Sequence, residues 1–219
     1  MFWDQTLIQL FQKGGLCMWP LLACSILAIA IMIERSIYFF SLRLNYDEFR
    51  TRLKTLLAAQ KMKDAFRLCK THPNPVPKIV AAYLQNLRDY RIRNEVLKRE
   101  GSLALEKIET RLRALAALTH IAPLLGLLGT VTGLVTAFHQ IEILGGQANP
   151  GDLAAGIWEA LITTVYGLVI AIPCMAAYHG FESEADRIAR RMQFITLELD
   201  EFFGKNSSGD FKGYKSVWI

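Results

Sequence analysis

The sequence predicts an all-α integral membrane protein, with three transmembrane helices extended into the cytoplasm, and three stretches carry that prediction. Residues 16–33, LCMWPLLACSILAIAIMI, run for 18 positions without a formal charge, enough to cross a bilayer core as a helix. Residues 114–139, ALAALTHIAPLLGLLGTVTGLVTAFH, hold two histidines as their only potentially charged side chains. Residues 153–178 hold one formal charge, Glu159. A composition that is 52% hydrophobic over 219 residues also suits a greasy globular domain; the clustering of the apolar residues decides the class. Backbone in hydrocarbon must satisfy its own hydrogen bonds, so the spans are expected to be helices. Three such spans leave no room for a separate water-soluble core of any size.

Taken in order, residues 1–15 suggest a short interfacial helix. Phe2, Trp3, Leu7, Leu10 and Phe11 lie among polar residues and are followed by a break at Gly14-Gly15. The first span, 16–40, could be a signal peptide, but that requires a basic leader and a short apolar core. Only Lys13 precedes it, and the apolar run continues for nine residues beyond Cys24, so the segment is expected to be retained. Glu34 and Arg35 at its end point about 100° apart on a helix, which reads as two interfacial anchors rather than one ion pair. Residues 41–113 form a cytoplasmic helical segment. Within it 46–70 reads as one helix, THPNPVPK at 71–78 as a turn, and 79–113 as a helix running straight into the second span at 114–139. A loop at 140–152 leads to the third span, 153–178, and a cytoplasmic helix and tail occupy 179–219. Pro20 and Pro123 fall in the first turns of their spans, where a missing N–H matters least; Pro173 marks an adjustment near the end of the third.

The basic residues set the orientation. Arg35, Arg43, Arg50 and Arg52 follow the first span, and Lys98, Arg99, Lys107, Arg111 and Arg113 precede the second. The 140–152 connection has no Lys or Arg, whereas the tail after Tyr178 has six. The N-terminus and that loop are therefore expected outside, and the long segment and the tail inside. The net charge of +5 is explained by this basic interior, so nucleic-acid binding is not inferred. Cys17, Cys24, Cys69 and Cys174 lack metal-ligand spacing and read as structural. His120 and His139 lie near the two ends of the second span and read as interfacial. There is no phosphate loop, HExxH or nucleophile elbow; no enzyme activity, cofactor or metal is expected.

The informative residues lie on two helical faces. In the second span Thr119, Ala122, Gly126, Gly129, Thr130, Gly133 and Ala137 recur at steps of three or four, so they share a side. Leu124, Leu127, Leu128, Val131 and Val135 make up the opposite side. In the third span Gly156, Ala160, Thr163, Thr164, Gly167 and Ala171 gather on the side that has Glu159 at its edge. Small residues on a stripe let membrane helices approach closely. Gly126, Gly129, Gly133, Gly156 and Gly167 are thus candidates for helix packing. A carboxylate at membrane depth needs a partner or a task, and such groups commonly face a cavity or take part in proton relays. Glu159, Thr130, Thr164 and Thr163 are the candidate lining of a proton pathway; a structural carboxyl bonded to a neighbouring subunit is the other reading of Glu159.

The stretches IAPLLGLLGTVTGLVTAF (121–138) and GIWEALITTVYGLVIAIP (156–173) resemble the two signature helices of the MotA/TolQ/ExbB proton-channel family, and in particular its ExbB/TolQ branch. That resemblance implies a five-subunit ring in the bacterial inner membrane, its second and third helices lining a central pore. It implies a single-span partner of the ExbD or TolR kind in that pore, whose membrane aspartate carries the proton, and a TonB- or TolA-like protein beyond it. On the matching positions Glu159, Thr130 and Thr164 would form the polar lining beside that aspartate. Trp158 and Tyr166 are bulkier than the alanines the family suggests. Two functions follow as expectations: a stator coupling proton flow to work on outer-membrane transport or envelope integrity, or a non-conducting scaffold assembled through its small-residue faces.

Overall fold

The computed structural model describes residues 14–143 and 150–207. Residues 1–13 of the interfacial helix expected at 1–15, the centre of the 140–152 loop and the end of the tail lie outside the described residues. The described residues form six helices: α1 Met18–Ser41, α2 Tyr46–Ala58, α3 Met62–Lys70, α4 Pro75–Gln85, α5 Tyr90–Ile143 and α6 Pro150–Ser207. Three of them are long and apolar enough to cross a membrane, with 18-residue windows of mean hydropathy 1.8, 1.9 and 2.0. The loop expected at 140–152 is narrower than its sequence suggests, because α5 continues to Ile143 and α6 begins at Pro150.

Two compact units are present: Met1–Ser36 with Thr110–Phe181, and Ile37–Glu109 with Glu182–Ile219. The second corrects the expectation that no separate core would exist. Phe49, Leu53 and Leu57 on α2, Met62, Ala65 and Cys69 on α3, and Val76, Val80 and Tyr83 on α4 are all buried. Ala185, Ile188, Met192, Ile195, Leu199 and Phe203 are buried at steps of three or four along α6, one apolar stripe on a helix otherwise rich in charge. Short amphipathic helices that could not stand alone thereby acquire a common interior. Burial pushes the Cys69 thiol up to about 12, so it stays protonated and inert.

Three helix boundaries also differ from the sequence reading. The helix expected over 46–70 breaks at residues 59–61, where Gln60 takes a left-handed conformation (φ 55°); no Gly or Pro marks the place. The turn expected at 71–78 holds a helix start: Asn74 accepts from the Val76 N–H at 2.9 Å, and Pro75 occupies the first helical turn, where its fixed φ is pre-organised. Asn74 is itself buried, and its Nδ2 donates to the Leu42 carbonyl. The helix expected over 79–113 is interrupted: α4 stops at Gln85, and α5 starts after Asp89, whose carboxylate accepts from the Arg91 and Ile92 N–H groups at 2.8 and 3.2 Å.

A polar cluster ties this unit together. The fully buried Tyr83 donates its hydroxyl to Asp200 Oδ1 at 2.7 Å, and Arg93 Nη2 reaches the same oxygen at 3.3 Å. The Arg93 guanidinium lies over the Tyr83 and Tyr90 rings, 4.5 and 5.2 Å from their centroids. Burial, and then the bond to Asp200, push the Tyr83 hydroxyl pKa well above its ordinary value. Asp200→Ala removes the acceptor shared by a buried hydroxyl and a guanidinium whose side chain is 11% exposed. Asp200 is itself 37% exposed, which admits water and reduces the penalty to about 2 kcal/mol. The thermal midpoint of the detergent-solubilised chain is expected to fall by about 4–8 °C, with a smaller loss for Asp200→Asn, which keeps an oxygen for Tyr83. Scanning fluorimetry of the two variants checks this.

The first unit is organised differently. Ala28, Ile31, Leu115, Leu118 and Cys174 form one buried cluster, and Met18, Leu21, Ala122 and Ala171 form another. The outward sides stay bare. Leu124, Leu127, Leu128, Val131 and Val135 on α5, and Leu161, Val165, Leu168, Val169 and Ile172 on α6, are all exposed. Exposed apolar faces of this extent suit hydrocarbon or other helices.

Candidate functional site

Small residues decide how α5 and α6 meet. Ala122, Gly126, Gly129, Gly133 and Ala137 are buried on α5, and Ala160, Thr163, Gly167 and Ala171 are buried on α6. Backbone touches backbone along this line. A Cβ on Gly126 would come within 2.9 Å of the Thr163 carbonyl oxygen and 3.0 Å of Thr164 Cα. One on Gly133 would meet Ala160 N at 3.0 Å, and one on Gly167 would meet the Ala122 carbonyl oxygen at 2.6 Å. Gly129 lies against the Thr163 side chain and Gly156 against Ala137 Cβ. A line of hydrogens where side chains would stand permits this approach.

Thr163 and Thr164 add polar links to the same line. The fully buried Thr163 donates to its own helix at Ala160 O (2.8 Å) and lies 3.3 Å from Gly126 O. Thr164, half-buried, donates to Gly126 O at 3.1 Å. Both hydroxyls therefore address one carbonyl of the facing helix, inside the chain. Thr130 stands apart from them; its hydroxyl donates to Leu127 O on its own helix at 2.6 Å. Of the residues expected to line a pathway, Thr163 and Thr164 come together around Gly126, and Thr130 occupies a half-exposed position on α5.

Glu159 is half-buried, one residue before the buried Ala160. Its carboxylate reaches back to the start of the first span and lies against Gly15. Tyr166, two residues from Thr164, packs on the Met18, Leu21, Ala122 and Ala171 cluster, so its bulk is taken up within the chain and not on an open face.

A second charged group sits at the other end of α1 and corrects the reading of Glu34 and Arg35 as separate anchors. Arg35 Nη2 donates to Glu34 Oε1 at 2.7 Å and Nε to Oε2 at 3.0 Å, and Arg111 Nη1 lies 3.4 Å from the same carboxylate. The guanidinium is long enough to bend across the angle between adjacent helical residues. Arg35 is 4% exposed, and a two-pronged bond meets the need of a buried charge for a partner. Sequence reasoning missed this group, and Arg111 with it; the charge signs at 34, 35 and 111 were its only trace.

Comparison with known proteins places the chain in a family. Residues 71–194 match the model of the MotA/TolQ/ExbB proton channel family. The chain is 29% identical over 207 residues to the biopolymer transport protein exbB1 of Vibrio cholerae, covering 90% of each chain. It is 32% identical over 238 aligned positions to a putative biopolymer transport protein, ExbB-like 1, of Synechocystis, spanning 100% of this chain and 84% of that one. A shorter match, 38% over 97 residues and 44% of this chain, is to the Tol-Pal system protein TolQ of Pseudomonas aeruginosa, of which it covers 40%. With three membrane-capable helices in the described residues, this multi-pass membrane protein belongs to the MotA/TolQ/ExbB proton channel family, on its ExbB/TolQ branch.

Proposed function

We propose that the chain is the channel-forming stator subunit of an inner-membrane motor that couples proton motive force to work on outer-membrane transport or envelope integrity. Five copies form a ring with the N-terminus outside and the C-terminus inside, and the helices carrying Thr130 and Glu159 line its centre. A single-span partner of the ExbD or TolR kind occupies that centre, supplies the carboxylate that carries the proton, and passes the work to a TonB- or TolA-like protein.

The observation that carries this reading is Glu159, the sole formal charge of the third span. It is half-buried at the edge of the small-residue stripe, where an ionisable group needs either a partner or a proton to handle. The threonine hydroxyls favour a scaffold instead, since Thr130, Thr163 and Thr164 all bond to backbone carbonyls and none needs a proton path to account for it.

Co-expression with the single-span partner, native mass spectrometry and proton uptake into reconstituted vesicles separate the two. A stator gives a ring of five around the smaller protein, and flux that requires both. A scaffold gives an assembly without flux, or no small partner at all.

A further inference from the structure

We propose that Gly15 is a positioning residue for Glu159: the Gly14-Gly15 turn holds the carboxylate against its backbone and shields it from water outside the membrane. This rests on Glu159 belonging to the proton pathway and adds what keeps it in place there. Two independent features require a glycine. The backbone at Gly15 is left-handed (φ 64°), a conformation that side chains with a Cβ adopt at a cost. The space beside it is also taken: a Cβ built there would overlap Glu159 Oε1 and lie 2.9 Å from Cδ and 3.7 Å from Cγ. The carboxyl group rests on the one side of Gly15 where a side chain would stand.

The turn that makes this surface is fastened down. Met18 N–H donates to the Gly15 carbonyl at 3.3 Å. Met18 and Leu21, each 1% exposed, sit in the core with Ala122 and Ala171. Gly14 is buried, with the Met18 thioether against it; a Cβ there would come within 2.7 Å of Sδ. Cys17 Sγ lies 3.8 Å from Thr132 Oγ1 on α5. A surface tied at these points cannot drift from the carboxylate as a loose loop would. Access to Glu159 is then set from the first span as well as from the helix that bears it.

The test uses the full chain assembled with its partner and measures reaction at Glu159, not transport. Samples are treated with a water-soluble carbodiimide or with a lipid-soluble one, and modification at Glu159 is quantified by peptide mass spectrometry. In the parent the lipid-soluble reagent is expected to dominate. Gly15→Ala should shift the ratio several-fold toward the water-soluble reagent, while Leu16→Ala, at the neighbouring 85%-exposed position, leaves it unchanged. Parent-like labelling in Gly15→Ala, or an equal shift in Leu16→Ala, overturns the proposal. If Gly15→Ala fails to assemble, Glu159→Asp decides, since it leaves the turn untouched and its shorter side chain withdraws the carboxylate from Gly15: a several-fold shift of labelling at position 159 toward the water-soluble reagent supports the contact, and parent-like labelling overturns it. An error in the role of Glu159 itself would show separately, as proton-driven function surviving in Glu159→Gln with the labelling results intact.

Discussion

Glu159→Gln is expected to abolish proton-driven work while leaving assembly unchanged. The amide matches the carboxyl in size, so the contacts with Gly15 and the packing around Ala160 have no steric reason to change. What disappears is the ability to bind and release a proton or to answer a positive charge. In the proposed ring, reconstituted with the proposed single-span partner, proton uptake should fall to background, and native mass spectrometry should return the parent stoichiometry. Glu159→Asp keeps the chemistry but pulls the group back by one methylene, which is at least about 1 Å out of register on a site where misplacement of that order is expensive, and should retain part of the flux. Full flux in Glu159→Gln would sink the proton-pathway role and leave the scaffold reading standing.

Gly167→Leu is expected to destroy the protein as an assembled species. The first atom of the new side chain would already lie 2.6 Å from the Ala122 carbonyl oxygen and 3.2 Å from Gly126 Cα. Both neighbours are backbone, so no rotamer change can make room, and the two helices must separate. Overpacking against yielding side chains costs about 1–3 kcal/mol; here the cost falls at or beyond the upper end, and the bonds from Thr163 and Thr164 to Gly126 are lost with it. The membrane-inserted yield and the size-exclusion profile check this. Leu168→Ala next door, on a 44%-exposed position, serves as the contrast and should leave the monomer fold intact. A normal profile for Gly167→Leu would mean that α5 and α6 are not in backbone contact.

The sequence made some of this legible and hid the rest for physical reasons. The small-residue stripes at 122–137 and 156–171 could be seen because helical periodicity is local: in each, about four consecutive turns repeat the same choice of residue. Thr130 and Thr163 illustrate the limit. Both read as members of a polar face, yet a hydroxyl can always turn to its own backbone, and only coordinates reveal that Thr163 is sealed between helices while Thr130 is half-exposed. The second core was hidden because it joins α2, α3 and α4 to the far end of α6, and no local pattern in 46–70 names Ile195 or Leu199 as its partner. The break at Gln60 has no Gly or Pro to announce it. The Glu34–Arg35 pair was misread because the angle between adjacent residues was weighed without the reach of an arginine. Gly15 was visible only as a helix breaker; its relation to Glu159 is a contact between the first span and the third, which no local pattern encodes.

The close line between α5 and α6 has a mechanical meaning. Where side chains separate two helices, small rotamer changes act as a compliant layer that lets one helix slide or roll on the other. Along Gly126, Gly133 and Gly167 that layer is missing, because main chain bears directly on main chain. The pair is therefore stiff, and load applied to one helix passes to the other without give. In an assembly that converts ion flow into motion, displacement would have to arise between such pairs, or between them and a central partner, because within the pair there is nothing soft enough to move.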